Sequence, residues 1–286
     1  MPTIKATDGT HLYYEEAGTG TPVVFVHEFA GDHRTWEPQV RHLSRAHRCI
    51  VFSARGYPPS DVPTDPSRYS QAIAVTDVLA VMDALGVRKA HVVGHSMGAY
   101  TALNLGQLHP DRCLSVTAAG CGWGSDPDDL ARAPEICESI AAMFRDEPIA
   151  VAAEKYAHAD MRLTFKAKDP RGFAEFTAML AEHSGEGSAL TMLNVQLKRP
   201  TLQEMETGLK AFRVPLLVIV GDSDYPCLQG SLYLKRVVPT SALLMVPRAG
   251  HTITMEEPCV VNQALESLFR DTETGVWKVR PADAAA

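Results

Sequence analysis

The segment Val92-Val93-Gly94-His95-Ser96-Met97-Gly98 constrains the fold more than any other part of the chain. An apolar run enters G-x-S-x-G without a linker, and a helical stretch begins at Ala99. A strand buried on both faces, followed at once by a tight turn and a helix, is a building unit of a parallel sheet. Glycines at positions 94 and 98 let the backbone turn sharply and let the next helix pack closely, so that the Ser96 hydroxyl stands clear above the sheet.

Further apolar runs read as strands at residues 23–26, 49–52, 91–93, 114–118, 216–220 and 243–246. Asp8-Gly9 between two short extended runs predicts an N-terminal hairpin. Val75, Val78, Leu79, Met82 and Leu85 share one helical face that Gly86 terminates, and residues 99–108 and 260–269 are further helices. Strands alternating with helices predict an α/β fold with a mostly parallel, twisted sheet and its site at the carboxyl ends of the strands. From about Trp123 to Leu209 the rhythm breaks, and only helical spacings occur, such as Ile136, Ile140, Met143 and Phe144. Pro134, Pro148 and Pro170 are expected near helix starts. The expected organisation is a core at residues 1–122 and 210–272, an inserted helical cap at 123–209 and a tail at 273–286 that frays from Pro281 to Ala286.

Composition narrows the function. The formal charge is −7, from 27 Lys and Arg against 34 Asp and Glu, and the basic residues are scattered, which argues against a nucleic-acid binder. No apolar run approaches the ~20 residues that span a bilayer, and the N-terminus has no signal-peptide pattern, so a cytoplasmic protein without membrane contact is expected. The six Cys form no C-x-x-C and read as reduced, mostly buried thiols. H-E-x-x-H is absent, His91 and His95 fall on a strand and its turn rather than one helix face, and Gly18-Thr19-Gly20 is too short for a nucleotide loop. No cofactor and no metal are expected.

A serine hydroxyl needs a base. His251 follows the last strand through Pro247-Arg248-Ala249-Gly250, which puts it on a loop at the carboxyl edge of the sheet. The base in turn needs a carboxylate to hold its tautomer. Residues 216–220 end in Gly221-Asp222-Ser223-Asp224, and either aspartate lies just past the strand end. Asp222 falls within the first turn, where Asp commonly caps the loop, and this favours Asp224. The first parallel strand ends in His27-Glu28-Phe29-Ala30-Gly31-Asp32. Backbone N–H groups of that turn and of Met97 are placed to meet developing negative charge, with His27 bracing the loop.

With these segments, together with Ala54-Arg55-Gly56-Tyr57-Pro58-Pro59-Ser60-Asp61 and Ala249-Gly250-His251, the chain resembles the α/β-hydrolase superfamily over nearly its whole length. The resemblance implies an α/β-hydrolase fold, Ser96, His251 and Asp224 as the catalytic residues, and the N–H groups of Phe29 and Met97 as the oxyanion hole. Ser96 sets the chain apart from the haloalkane dehalogenases and epoxide hydrolases of this fold, which need an aspartate there. Two departures stand out. Glu28 replaces a common glycine and is expected to point away, toward Arg34 or Arg55, and Tyr57-Pro58-Pro59 is expected to stiffen a wall of the site. The expected activity is a serine hydrolase acting on a small apolar or aromatic ester. The alternatives are a C–C bond hydrolase of a β-diketone or ring-cleavage product and a non-catalytic small-molecule receptor. Trp123, Met143, Phe144, Phe176 and Met179 are the candidate cap residues facing the substrate. The expected partner is a small-molecule substrate, with a homo-oligomer left open.

Overall fold

The computed structural model describes residues 1–125 and 127–280, with the side chains of 126–129 set aside. Eight strands form one sheet in the order β1-β2-β4-β3-β5-β6-β7-β8. They are β1 (Thr3–Lys5), β2 (His11–Ala17), β3 (Thr21–Val26), β4 (His47–Phe52), β5 (Ala90–His95), β6 (Cys113–Ala119), β7 (Leu216–Gly221) and β8 (Ser241–Val246). The hairpin β1-β2 is antiparallel and joins β4 antiparallel, whereas β3 to β8 run parallel. β5 and β7 are buried at every residue, which explains why their sequences lack alternation.

The helices fill both faces of the sheet. α1 (Glu37–Leu43), α2 (Gln71–Ala84) and α3 (Met97–Leu108) follow β3, β4 and β5, and Ser70 caps α2 by accepting from the Ile73 N–H. On one face Val78, Val81, Ala102 and Leu103 pack against Val24, Ile50 and Val92. On the other Trp36, Leu265 and Phe269 pack against Phe25, Val93 and Ile219. Each large apolar side chain so buried contributes about 1.5–3 kcal/mol.

Between β6 and β7 the described residues hold only helical elements: α4 (Pro127–Asp146), α5 (Ile149–Ala157), α6 (Leu163–Lys168), α7 (Pro170–Leu180), α8 (Gly185–Thr191) and α9 (Glu206–Lys210), with short turns between them. Their apolar faces meet Phe29, Tyr57 and Met97 of the core in a third cluster. Pro148 and Pro170 stand at helix starts. Pro134 does not, because α4 begins seven residues earlier, at another proline, and carries Pro134 in its interior. α10 (Tyr225–Val237), α11 (Ile253–Glu256) and α12 (Pro258–Glu273) complete the chain.

Beyond Glu273 the described tail is anchored. The Trp277 indole donates to the Thr240 carbonyl at 2.8 Å, and Arg280 donates to the Val238 carbonyl at 2.7 Å. The expected fraying of Pro281 to Ala286 lies outside the described residues. No helix among the described residues is long and apolar enough to cross a membrane.

Candidate active site

The sheet order reverses at β3, whose neighbours are β4 and β5. Loops leaving β3 and β5 therefore diverge and open a crevice at the carboxyl edge, where open α/β sheets bind ligands. Ser96 sits at the tip of the β5–α3 turn with φ 52° and ψ −111°, a strained conformation for a residue with a side chain. The flanking glycines serve close approach rather than unusual dihedrals. A Cβ on Gly94 would overlap the Gly98 carbonyl, and one on Gly98 would overlap the Val26 carbonyl.

The structure brings Ser96, His251 and Asp224 together from three loops. Ser96 Oγ lies 2.9 Å from His251 Nε2, and Asp224 Oδ2 lies 2.9 Å from His251 Nδ1. Asp224 is fully buried and His251 nearly so, whereas Ser96 opens to a cavity. Asp222 is half-buried and bonds the Ser223 hydroxyl instead. The N–H groups of Phe29 and Met97 find no acceptor among the described residues, although both residues are buried. Buried backbone donors are nearly always paired, so these two N–H groups, on the turns that follow β3 and β5, are left free to bond an acceptor from outside the chain. His27 braces the Phe29 loop. Its Nε2 accepts from the Ala54 N–H at 2.9 Å, and its Nδ1 donates to the Glu28 carbonyl at 2.7 Å. Burial brings His27 down to about 4, so it is neutral at pH 7.

Glu28 points inward, not toward Arg34 or Arg55. Arg34 is held by Asp32 and Glu182, and Arg55 by Asp77 and Asp8. The Glu28 carboxylate is buried and meets Arg162 Nη2, from the turn before α6, at 2.5 Å. Burial alone would raise the Glu28 carboxyl, but Arg162, with His95 and His251, holds it at about 2. Arg162 is itself fully buried, with the Tyr156 and Phe176 rings 5.0 and 5.6 Å from its guanidinium carbon. The negative charge on the turn after β3 is thus neutralised by a cation from the turn before α6. The same turn grips the base: the His251 N–H donates to the Met161 carbonyl at 2.8 Å. From below, His95 Nε2 donates to the His251 carbonyl at 2.7 Å.

This arrangement predicts an asymmetry in stability. Arg162→Met should cost about 3–5 kcal/mol, because it leaves a buried carboxylate unpaired, and pairing it with Glu28→Gln should restore most of that loss. Urea unfolding of the singles and the double would check this. A double mutant no more stable than Arg162→Met alone would contradict the ion-pair account.

The cavity above Ser96 measures about 310 Å³. Trp123 and Met143 line it, as expected, but Phe144 and Phe176 do not. Phe144 is buried edge-on against Phe29 and Tyr156, and Phe176 packs on Phe165 and Phe173 inside the insert. Met179 faces a separate groove beside Arg34. Tyr57 does not line this cavity either: it is buried between His27 and His183. His183, just past the end of α7, is buried there beside Asp32, 3.6 Å from its carboxylate.

Sequence reasoning missed Tyr100, Gln196, Arg199 and Cys227, all of which line the cavity. Tyr100 follows Ser96 by one helical turn, so i+4 spacing was the available signal for it. Cys227 Sγ lies 3.8 Å from His251 Nδ1. With Asp224 and His251 it brings three metal-ligating groups within 4.8 Å of one another, the one such group among the described residues. The trio does not suit a thiolate-bound metal. Its atoms are already engaged within the chain: Cys227 Sγ donates to the Gly120 carbonyl at 3.3 Å, and His251 Nδ1 donates to Asp224.

A family described as the alpha/beta hydrolase fold matches residues 21–135. An esterase from Thermogutta terrifontis superposes with a TM-score of 0.82 at 26% identity, covering 95% of this chain and 98% of that one. The chain has the α/β-hydrolase fold. A putative carbamate hydrolase RutD from Azorhizobium caulinodans is 28% identical over 261 residues, 89% of this chain and 93% of its own. An epoxide hydrolase from Caballeronia sordidicola is 37% identical over 112 residues, but this covers 39% of this chain and 34% of that protein. Relatives named as hydrolases and esterases make this α/β-hydrolase an enzyme of that class.

Proposed function

We propose that this α/β-hydrolase is a serine esterase acting on small, largely apolar acyl substrates. The observation that carries this reading is the continuous line Asp224–His251–Ser96, with 2.9 Å at each contact, beside two unpaired N–H groups. In this reading Ser96 Oγ attacks the ester carbonyl carbon as His251 Nε2 takes its proton. Asp224 accepts from Nδ1–H and so keeps the Nε2 lone pair aimed at Ser96. The N–H groups of Phe29 and Met97 receive the developing oxyanion, a contribution worth about 2.7–4 kcal/mol per donor in comparable sites. His251 then gives the proton to the departing alcohol. Water, deprotonated by His251, attacks the acyl carbon and frees Ser96. The names of the carbamate hydrolase and the esterase agree with acyl cleavage.

The apolar walls, including Trp123, Ile140, Met143 and Met192, support the substrate class. Each methylene buried contributes about 0.8 kcal/mol, roughly a fourfold gain when fully realised in the transition state. For p-nitrophenyl esters, kcat/KM should therefore rise from acetyl to butyryl and fall once the pocket is full. A steady decline from acetyl onward would contradict a roomy acyl pocket, and an absence of ester turnover would contradict the activity itself.

A further inference from the structure

The cavity that fits an apolar acyl group has one charged wall. Two cationic side chains line it, Lys155 and Arg199. Lys155 is committed to Glu147, with its Nζ 2.7 and 2.6 Å from the two carboxylate oxygens. Arg199 has no carboxylate within 4 Å among the described residues.

The surroundings of Arg199 hold its guanidinium as a fixed plane. It lies over the Tyr100 ring with its central carbon 3.7 Å from the ring centre, and the Trp123 ring stands 6.0 Å away. Nη2 donates to the Trp123 carbonyl at 3.0 Å, and Nη1 donates to Gln196 Oε1. Of five N–H donors these use two. Tyr100 is itself locked, its hydroxyl 2.8 Å from Ser125 Oγ. The approach to Arg199 is a π-helical turn, Met192–Gln196, closed by the Leu197 N–H on the Met192 carbonyl. Such turns interrupt a helix at a cost and are frequent at functional sites. This one sets Met192 and Gln196 on the cavity just ahead of Arg199.

A stacked, hydrogen-bonded guanidinium with unused donors, on a cavity whose other cation is already paired with Glu147, suits one planar anion. We propose that Arg199 binds a carboxylate carried by the substrate at the end remote from the scissile bond, so that the preferred substrate is a monoanionic ester with an apolar spacer. This rests on the serine-esterase reading and names the substrate class within it. Tyr100, under the guanidinium, is four residues beyond Ser96 along α3, so the reacting carbonyl and the carboxylate sit at separate points of the cavity and a spacer must join them.

The test uses two matched pairs. Mono-p-nitrophenyl adipate is compared with its methyl ester, which places the charge on the acyl side. 4-Acetoxybenzoate is compared with methyl 4-acetoxybenzoate, which places it on the alcohol side. In at least one pair the acid should exceed its neutral partner in kcat/KM by roughly 10- to 100-fold, the worth of a hydrogen bond to a charged group. Arg199→Gln should collapse that ratio toward one, and Arg199→Lys, which keeps the charge but not the fork, should leave an intermediate value. If Arg199 merely supports Tyr100 and Trp123, the substitutions would slow acid and neutral ester equally and leave the ratio standing, which would overturn the proposal. So would equal rates for both pairs in the wild-type enzyme.

Binding separates this proposal from the esterase reading. The anilide N-(4-nitrophenyl)adipamic acid should bind the wild-type protein at least tenfold tighter than its methyl ester in calorimetry, and Arg199→Gln should abolish the difference. That result with no ester turnover would sink the esterase reading and keep the anion site. Ester turnover with no charge preference in rate or binding would do the reverse.

Discussion

Ser96→Ala is expected to lower ester turnover on the order of 10⁴-fold or more, with the fold intact. The size follows from how much converges on one oxygen. Ser96 Oγ is the atom that the line from Asp224 reaches through His251 Nε2, and the unpaired N–H groups of Phe29 and Met97 lie on the turns after β3 and β5. Alanine keeps the Cβ and the strained turn, and it removes an oxygen whose protein partner is His251. Thermal unfolding should therefore barely move. Steady-state hydrolysis of p-nitrophenyl butyrate would show the loss, and activity within tenfold of wild type would rule out the serine as nucleophile.

Asp224→Asn should be nearly as severe, roughly 10⁴-fold in kcat, while Asp222→Asn stays within a few-fold of wild type. An asparagine at 224 can turn its NH₂ toward His251 Nδ1. The ring proton then moves to Nε2, which points at Ser96 and can no longer accept the hydroxyl proton. Asp224 is fully buried and 2.9 Å from Nδ1, so nothing else can take its place. Asp222 lies in the preceding turn and bonds Ser223. Kinetics of both variants on one ester would distinguish them. A severe Asp222→Asn with a nearly silent Asp224→Asn would show that the other carboxylate serves His251.

What could be read in the sequence and what could not divides along the range of the interactions. The elbow is local: a strand, two glycines four apart and a helix start all lie within ten residues of Ser96, and each leaves a mark in composition. His251 and Asp224 follow from strand ends because a parallel sheet sends all such loops to one edge. Glu28 and Arg162 are 134 positions apart, and no periodicity links them. The same holds for Tyr57 against His183.

The helices between β6 and β7 show the limit of helical spacing. It says that Phe144, Phe176, Met143 and Trp123 are each on a buried face. It does not say whether that face meets a cavity or another helix, and in the structure the first two meet helices and the last two the cavity. Arg199 escaped for a related reason. Beside Lys198 it is one of two adjacent basic residues, and only the fold reveals that it lies over Tyr100. Pro134 shows that a proline marks a first helical turn by preference rather than by rule, since α4 carries it inside.

The most direct test of the central claim is covalent capture of the nucleophile. A fluorophosphonate needs an activated serine and an oxyanion pocket at once, because its phosphoryl oxygen takes the place of the oxyanion. Treated with an alkyl fluorophosphonate and digested, the protein should carry one phosphonyl group per chain, on the peptide holding Ser96. Ester hydrolysis should fall in proportion to the labelled fraction, and Asp224→Asn should label far more slowly. Loss of activity with Ser96 unmodified, or full labelling of Ser96 with hydrolysis intact, would contradict the account.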